Sequence, residues 1–534
     1  MKLSTKCGNF PYLPWNFLPI VDDEDQVDGE GVVHGRMVAT LVDFSETEAM
    51  ARGYPFLNLP AETLRDPVGT NDVLSRADRG DDTPYFIGSR IVSAERSGLI
   101  PLATSVDLKR PSRLVLIDCG LAHWNDAFWP DGIFRFSAIY YYPEMIRCQD
   151  PPTKLDPLLA ARCRAEAASG GPAAPIPILA KAFPGSVWSL PPDPDDFWHG
   201  TATAGLVAGT SHDLVAFELP KALLLDWGGD KMTLTLWIAL FQAIAGQLSP
   251  NYEGKVLLPF GFTGGPQDGD HPAARKISKI LNCFPKVELI LPAGNHRQDR
   301  LHARLTAAQP KVIWGIQPSD ASANVLDLCV SGKEATFTLR SGSNGQSVAF
   351  TLKHGDYCEL FDENEVIGRV HARQSGSQGQ LVVRLALEPA LTAGIWEIEM
   401  RDKHAADLWI LRDDEELALN HMDSLQSRFF DHDYSETGDN GFPKMDDGNS
   451  VIRRAGSASV LTTAPGVTSV AATVERAGAT VVARYSGLPW NGNNFAKAVS
   501  LGVETDPGLE VIGNGSPRRF LVEGTSIAAA RYVK

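Results

Sequence analysis

No stretch of this chain carries the ~18 consecutive apolar residues that a membrane-spanning helix needs. The nearest, residues 234–245, is short and contains Gln242. An excess of positive charge is also missing: 49 lysines and arginines stand against 65 aspartates and glutamates, a formal charge of −16. A nucleic-acid binder normally presents a clustered basic face, so neither nucleic acid nor membrane is an expected partner. The seven cysteines (Cys7, Cys119, Cys148, Cys163, Cys283, Cys329 and Cys358) are scattered and lack CxxC spacing. That excludes the usual zinc patterns, and free thiols in a reducing compartment are expected. The start, Met1 to Gly8, has two lysines but runs into prolines and polar residues. No apolar signal core follows, so a cytoplasmic location is expected.

What is present is a globular composition, 43% hydrophobic and 21% charged over 534 residues, enough for about two to four domains. Residues 1–105 are rich in Pro, Gly and acid clusters (Asp22-Asp23-Glu24-Asp25, Asp81-Asp82), with Val38-Ala39-Thr40-Leu41-Val42 as a strand. They suit an accessory domain, a prosegment or a wrapping extension. From Arg113 the pattern sharpens. Leu114-Val115-Leu116-Ile117-Asp118-Cys119-Gly120 is a continuous apolar run ending in Asp-x-Gly, as in a strand buried on both faces of a parallel sheet. Open α/β sheets place functional groups at that end, although an Asp there also serves as an ordinary turn cap.

Further on, His199 leads the small-residue run Gly200-Thr201-Ala202-Thr203-Ala204-Gly205, which lets a helix sit close to its neighbour. Strand and helix then alternate from Asp213: strands 214–217, 255–262 and 287–292 with helices 234–245 and 273–282 between them. Asn295 follows the last of these strands, in the same place in its unit as Asp118. Between residues 325 and 410 the period changes to short alternating strands with Gly/Ser/Asn turns, which predicts an inserted all-β sandwich or jelly roll. An acidic stretch, 412–448, follows; Asp431-His432-Asp433 and Asp446-Asp447 are expected to be solvated loop. The chain ends with Gly524-Thr525-Ser526-Ile527-Ala528-Ala529-Ala530, a helix start that exposes a hydroxyl.

Asp, His, Asn and Ser in that order make up the inventory of acyl transfer. The four stretches resemble the signatures of the subtilase (subtilisin-like serine protease) family, over about residues 110–324 and 450–534. The resemblance implies an α/β subtilisin-like three-layer fold with a mainly parallel sheet, the β module (325–410) inserted in it, and an N-terminal extension (1–105). The catalytic domain would be split between 106–324 and 411–534. It implies a serine endopeptidase acting on polypeptide, with Ser526 as nucleophile, His199 as base and then acid, Asp118 orienting the imidazole, and Asn295 as oxyanion donor. No cofactor is required, no metal site is expected, and calcium is not readable. By position, Leu258, Pro259, Phe260 and Gly261 would border the cleft.

Four features depart from the family pattern. Asp118 and His199 are 81 positions apart, Cys119 replaces a hydroxyl residue, Ala530 stands in place of a proline, and the chain runs only to Lys534. The last feature raises a second expectation, an impaired subtilase fold that binds peptides or a partner without turnover.

Overall fold

Seven strands form the framework of the first part: β1 (Leu114–Asp118), β2 (Phe136–Tyr141), β3 (Leu214–Glu218), β4 (Gly254–Leu257), β5 (Val287–Pro292), β6 (Val467–Arg476) and β7 (Lys497–Val503). They lie in the order β7-β6-β5-β4-β1-β3-β2, each parallel to its neighbours. Short antiparallel strands at 153–154, 479–482 and 506–507 complete a ten-stranded sheet. Every residue of β1 and β3 is buried, which is why these segments read as unbroken apolar runs. The strand order reverses at β1: β2 and β3 lie on one side and β4 to β7 on the other. Such a switch point leaves a crevice at the carboxyl ends of the strands.

The computed structural model describes residues 3–9, 13–14, 26–27, 33–34, 40–41, 114–142, 152–190, 198–208, 213–220, 244, 248 and most of 252–533. The expected helix 234–245, apart from Ile244, and the acid clusters near residues 22 and 81 lie outside the described residues. Of the expected strand 38–42, Thr40–Leu41 is described and pairs in parallel with Leu13–Pro14. Among the described residues no helix is long and apolar enough to cross a membrane.

Helices are few. They are α1 (Pro157–Gly170), α2 (Ile176–Ala182), α3 (His199–Ala208), α4 (Pro272–Asn282) and α5 (Thr525–Val533). α1 begins where Asp156 accepts the N–H groups of Leu158 and Leu159, with Pro157 at the first turn, a standard N-terminal arrangement. α5 packs on α3 and across β4, β5, β6 and β7. Its Ile527, Ala528, Ala529, Ala530 and Val533 are buried. Nine residues are too few for a helix stable in isolation, so this packing is what holds it.

The second part is two antiparallel sheets sharing one apolar core, with Trp314, Phe337, Phe350, Trp396 and Phe429 at its centre. Strands outside the expected 325–410 span belong to the same sheets: 302–305, 311–316, 428–430 and 452–453. Residues 302–305 and 452–453 pair with each other, so the chain enters and leaves this module side by side. Buried Arg384 holds Asp327 through two hydrogen bonds of 2.7 Å. The acidic stretch is partly structural. Asp431 accepts from Ser450 and the Val451 N–H, and Asp446 accepts from the N–H groups of Arg454 and Ala455.

One expectation fails here. Cys119, Cys163, Cys283 and Cys329 are free thiols, but Cys358 is disulfide-bonded. Strand Leu3–Asn9 adds to the edge of the eight-stranded sheet, and the residue opposite Cys358 on it is Cys7. The scattered cysteine spacing carries no sign of this bond.

Candidate active site

Asp118 ends β1 and is 3% exposed. Its Oδ1 accepts the N–H of Cys119 at 2.7 Å, and its Oδ2 accepts the hydroxyl of Thr203. His199 opens α3, with Nδ1 2.8 Å from Asp118 Oδ1 and Nε2 2.9 Å from Ser526 Oγ. A carboxylate only accepts, so Nδ1 carries the hydrogen and Nε2 is left as the acceptor facing the serine. Three side chains from three distant stretches thus form one hydrogen-bonded line.

Backbone fit explains how they meet. Gly200 donates its N–H to Cys119 O at 2.7 Å, and a Cβ at Gly200 would lie 2.4 Å from that oxygen. Only glycine lets α3 come this close to the end of β1. Thr201 Oγ1 donates to Gly120 O (2.7 Å) and accepts the Ala122 N–H (2.8 Å), stitching the same helix turn to the loop after Asp118. At the other end, Gly524 adopts φ 146°, and its N–H donates to the Tyr485 hydroxyl. Burial pushes the Tyr485 phenol up, so it is present as the neutral hydroxyl. The Gly524 carbonyl accepts from Ala528 to start α5.

Asn295 follows β5. Its Oδ1 accepts both the N–H (2.9 Å) and the hydroxyl (3.0 Å) of Thr525, and the Thr525 hydroxyl in turn accepts from Gly294 N. With Oδ1 held, Nδ2 is the free donor. A Cβ added at Gly524 would lie 3.7 Å from Asn295 Nδ2 and 3.6 Å from Ser526 Oγ, so donor and hydroxyl flank the same spot. Ser526 is the second residue of α5, where backbone N–H groups have no partner inside the helix.

The expected cleft residues divide. Leu258 donates its N–H to Ile290 O and turns its side chain to the interior beside Ile277 and Phe284; it is core and does not border a cleft. Pro259 is buried too. Phe260 lies with its ring 5.5 Å from the His199 ring, and Gly261 is exposed. A groove of about 660 Å³ opens beside Asn295, bounded by Gln298, Arg428, Val474, Arg484 and Tyr485. Cys119, next to Asp118, is fully buried, and burial pushes its thiol well up. It is therefore no rival nucleophile.

Sequence reasoning missed Thr203, Tyr485 and Glu218. Thr203 had a signal, since it stands four residues after His199 and shares its helix face. Glu218 and Tyr485 had none, because their neighbours are remote in the chain.

No family model matches the sequence, and no curated protein does. Among solved structures, the Clostridium perfringens CspB protease superposes with a TM-score of 0.55 at 16% identity, covering 82% of this chain and 83% of that one. The chain shares its fold with a protease. A Paenibacillus cycloisomaltooligosaccharide glucanotransferase, 12% identical with a TM-score of 0.12 over 46% of this chain and 32% of that one, superposes too poorly to carry any argument.

Proposed function

We propose that the protein is a subtilisin-like serine endopeptidase that hydrolyses polypeptides through an acyl-enzyme. The observation that carries this reading is the hydrogen-bonded line from Asp118 through His199 to Ser526 Oγ. In the first half-reaction Ser526 Oγ attacks the scissile carbonyl carbon while His199 Nε2 takes its proton. Asp118, fixed by Thr203 and the Cys119 amide, steadies the imidazolium that forms. Asn295 Nδ2 and the Ser526 N–H donate to the developing oxyanion. His199 then protonates the leaving amine, the C–N bond breaks, and an ester on Ser526 remains. Water, deprotonated by His199, attacks that ester, releases the acid and restores the hydroxyl.

The groove beside Asn295 and Tyr485 gives an extended polypeptide room next to the reacting centre. Burial of α5 supports an assembled site over the alternative of a peptide-binding fold without turnover. The test is labelling by a fluorophosphonate together with casein cleavage. Wild type should label and cleave, while Ser526→Ala should do neither, with a loss on the order of 10⁴-fold or more. Equal behaviour of wild type and Ser526→Ala would reject the assignment.

A further inference from the structure

Behind Asp118 sits a second carboxyl that the mechanism above does not use. Glu218 ends β3 directly beside Asp118 in the parallel register and is 2% exposed. Its Oε1 accepts the N–H of Gly120 at 2.9 Å, and the Leu121 N–H reaches Oε1 and Oε2 at 3.3 and 3.2 Å. These amides belong to the turn that leaves Asp118. The same turn receives α3 at Cys119 O and Gly120 O. Glu218 therefore anchors from one side the backbone that α3 grips from the other. The titratable groups facing it are Asp118 and Cys119 from the β1 side and Tyr141 from β2, with Trp188 closing the pocket; none of them is a cation.

We propose that Glu218 is a positioning residue of this site, whose carboxyl fixes the turn carrying Asp118 and whose ionisation places a second negative charge behind Asp118. The proposal rests on the serine-peptidase reading for its catalytic consequence, while its structural half stands on the amide contacts. Burial pushes the Glu218 carboxyl up to about 8; the Leu121 and Gly120 amides pull it down, and the charge of Asp118 adds to the rise. Burial thus favours the neutral acid, and ionisation of the group adds a negative charge beside Asp118 in the neighbouring strand. The added anion favours the imidazolium that forms in the transition state.

Two variants separate the roles. Glu218→Gln keeps a neutral acceptor for the two amides but cannot ionise, whereas Glu218→Ala removes the acceptor. The pH profile of kcat/KM in wild type should show an added rise between pH 7 and 9 that Glu218→Gln lacks. Glu218→Gln should also be at least tenfold more active than Glu218→Ala. Independently of turnover, the imidazole NMR shifts of His199, read in a Ser526→Ala background, should show an inflection near pH 8 that Glu218→Gln removes. Superimposable profiles for wild type and Glu218→Gln, or an inflection that persists in Glu218→Gln, overturn the proposal. Should Glu218→Ala fail to fold, the comparison of wild type with Glu218→Gln still decides. Absence of any Ser526-dependent turnover in wild type defeats the peptidase reading instead, and the NMR titration distinguishes the two failures.

Discussion

Asn295 has one amide, and the structure commits its oxygen to Thr525, so only its nitrogen is left to act on a substrate. Asn295→Leu should lower kcat about 10²–10³-fold with little change in KM, as expected when a donor engages only the transition state; steady-state kinetics on a peptide substrate check this. Thr203→Val leaves Asp118 Oδ2 without its buried partner. It should cost about 1–3 kcal/mol of stability, measured by urea denaturation, and lower kcat as well. Glu218 gives a pH signature. An acid held near 8 in the fold and at 4.5 when unfolded binds a proton in the native state that the unfolded chain has released. Stability attributable to it is full below 4.5 and is lost progressively up to about pH 8, by at most a few kcal/mol. Melting temperatures of wild type should fall relative to Glu218→Gln between pH 5 and 8; parallel curves contradict the assignment.

At the scale of elements, the sequence carries two kinds of signal with different reach. β1 and β3 are legible because burial on both faces forces unbroken apolar runs, and α3 because its Gly and Ala residues mark a close approach. The role of Gly200 makes that approach testable. Gly200→Ala puts a methyl 2.4 Å from Cys119 O, so α3 must shift away from β1 and lengthen the Asp118–His199 contact. Fluorophosphonate labelling should drop by more than tenfold while the far-ultraviolet circular dichroism stays native. Position within an element is less legible than its existence. Leu258 lies within a predicted strand, yet whether its side chain faces a cleft or the core depends on α4, which packs there from elsewhere in the chain. The β module likewise extends beyond residues 325–410, because the short strands at 428–430 and 452–453 lie in or near acidic, loop-like sequence and take their form from pairing partners.

At the scale of the whole molecule, strand Leu3–Asn9 is held to the edge of the sandwich by pairing with strand 356–362, which carries the disulfide-bonded Cys358. Cys358→Ser should speed amide hydrogen exchange in residues 3–9 and leave exchange in β1 and β5 unchanged, since those strands belong to a different core. Exchange that rises equally everywhere would show that the two cores are not separable in stability.

The pairing of strands 302–305 and 452–453 has a kinetic consequence. β5 and β6 are hydrogen-bonded neighbours although residues 293–466 intervene, and contacts so distant along the chain are slow to form. Once the sandwich has folded, strands 302–305 and 452–453 lie side by side, and the effective gap between β5 and β6 shrinks to the two linkers 293–301 and 454–466. The sandwich then acts as a clamp that lets the parallel sheet close late and quickly. Weakening its core at Trp314 should therefore delay the return of Ser526 reactivity during refolding, even though that tryptophan belongs to the other core.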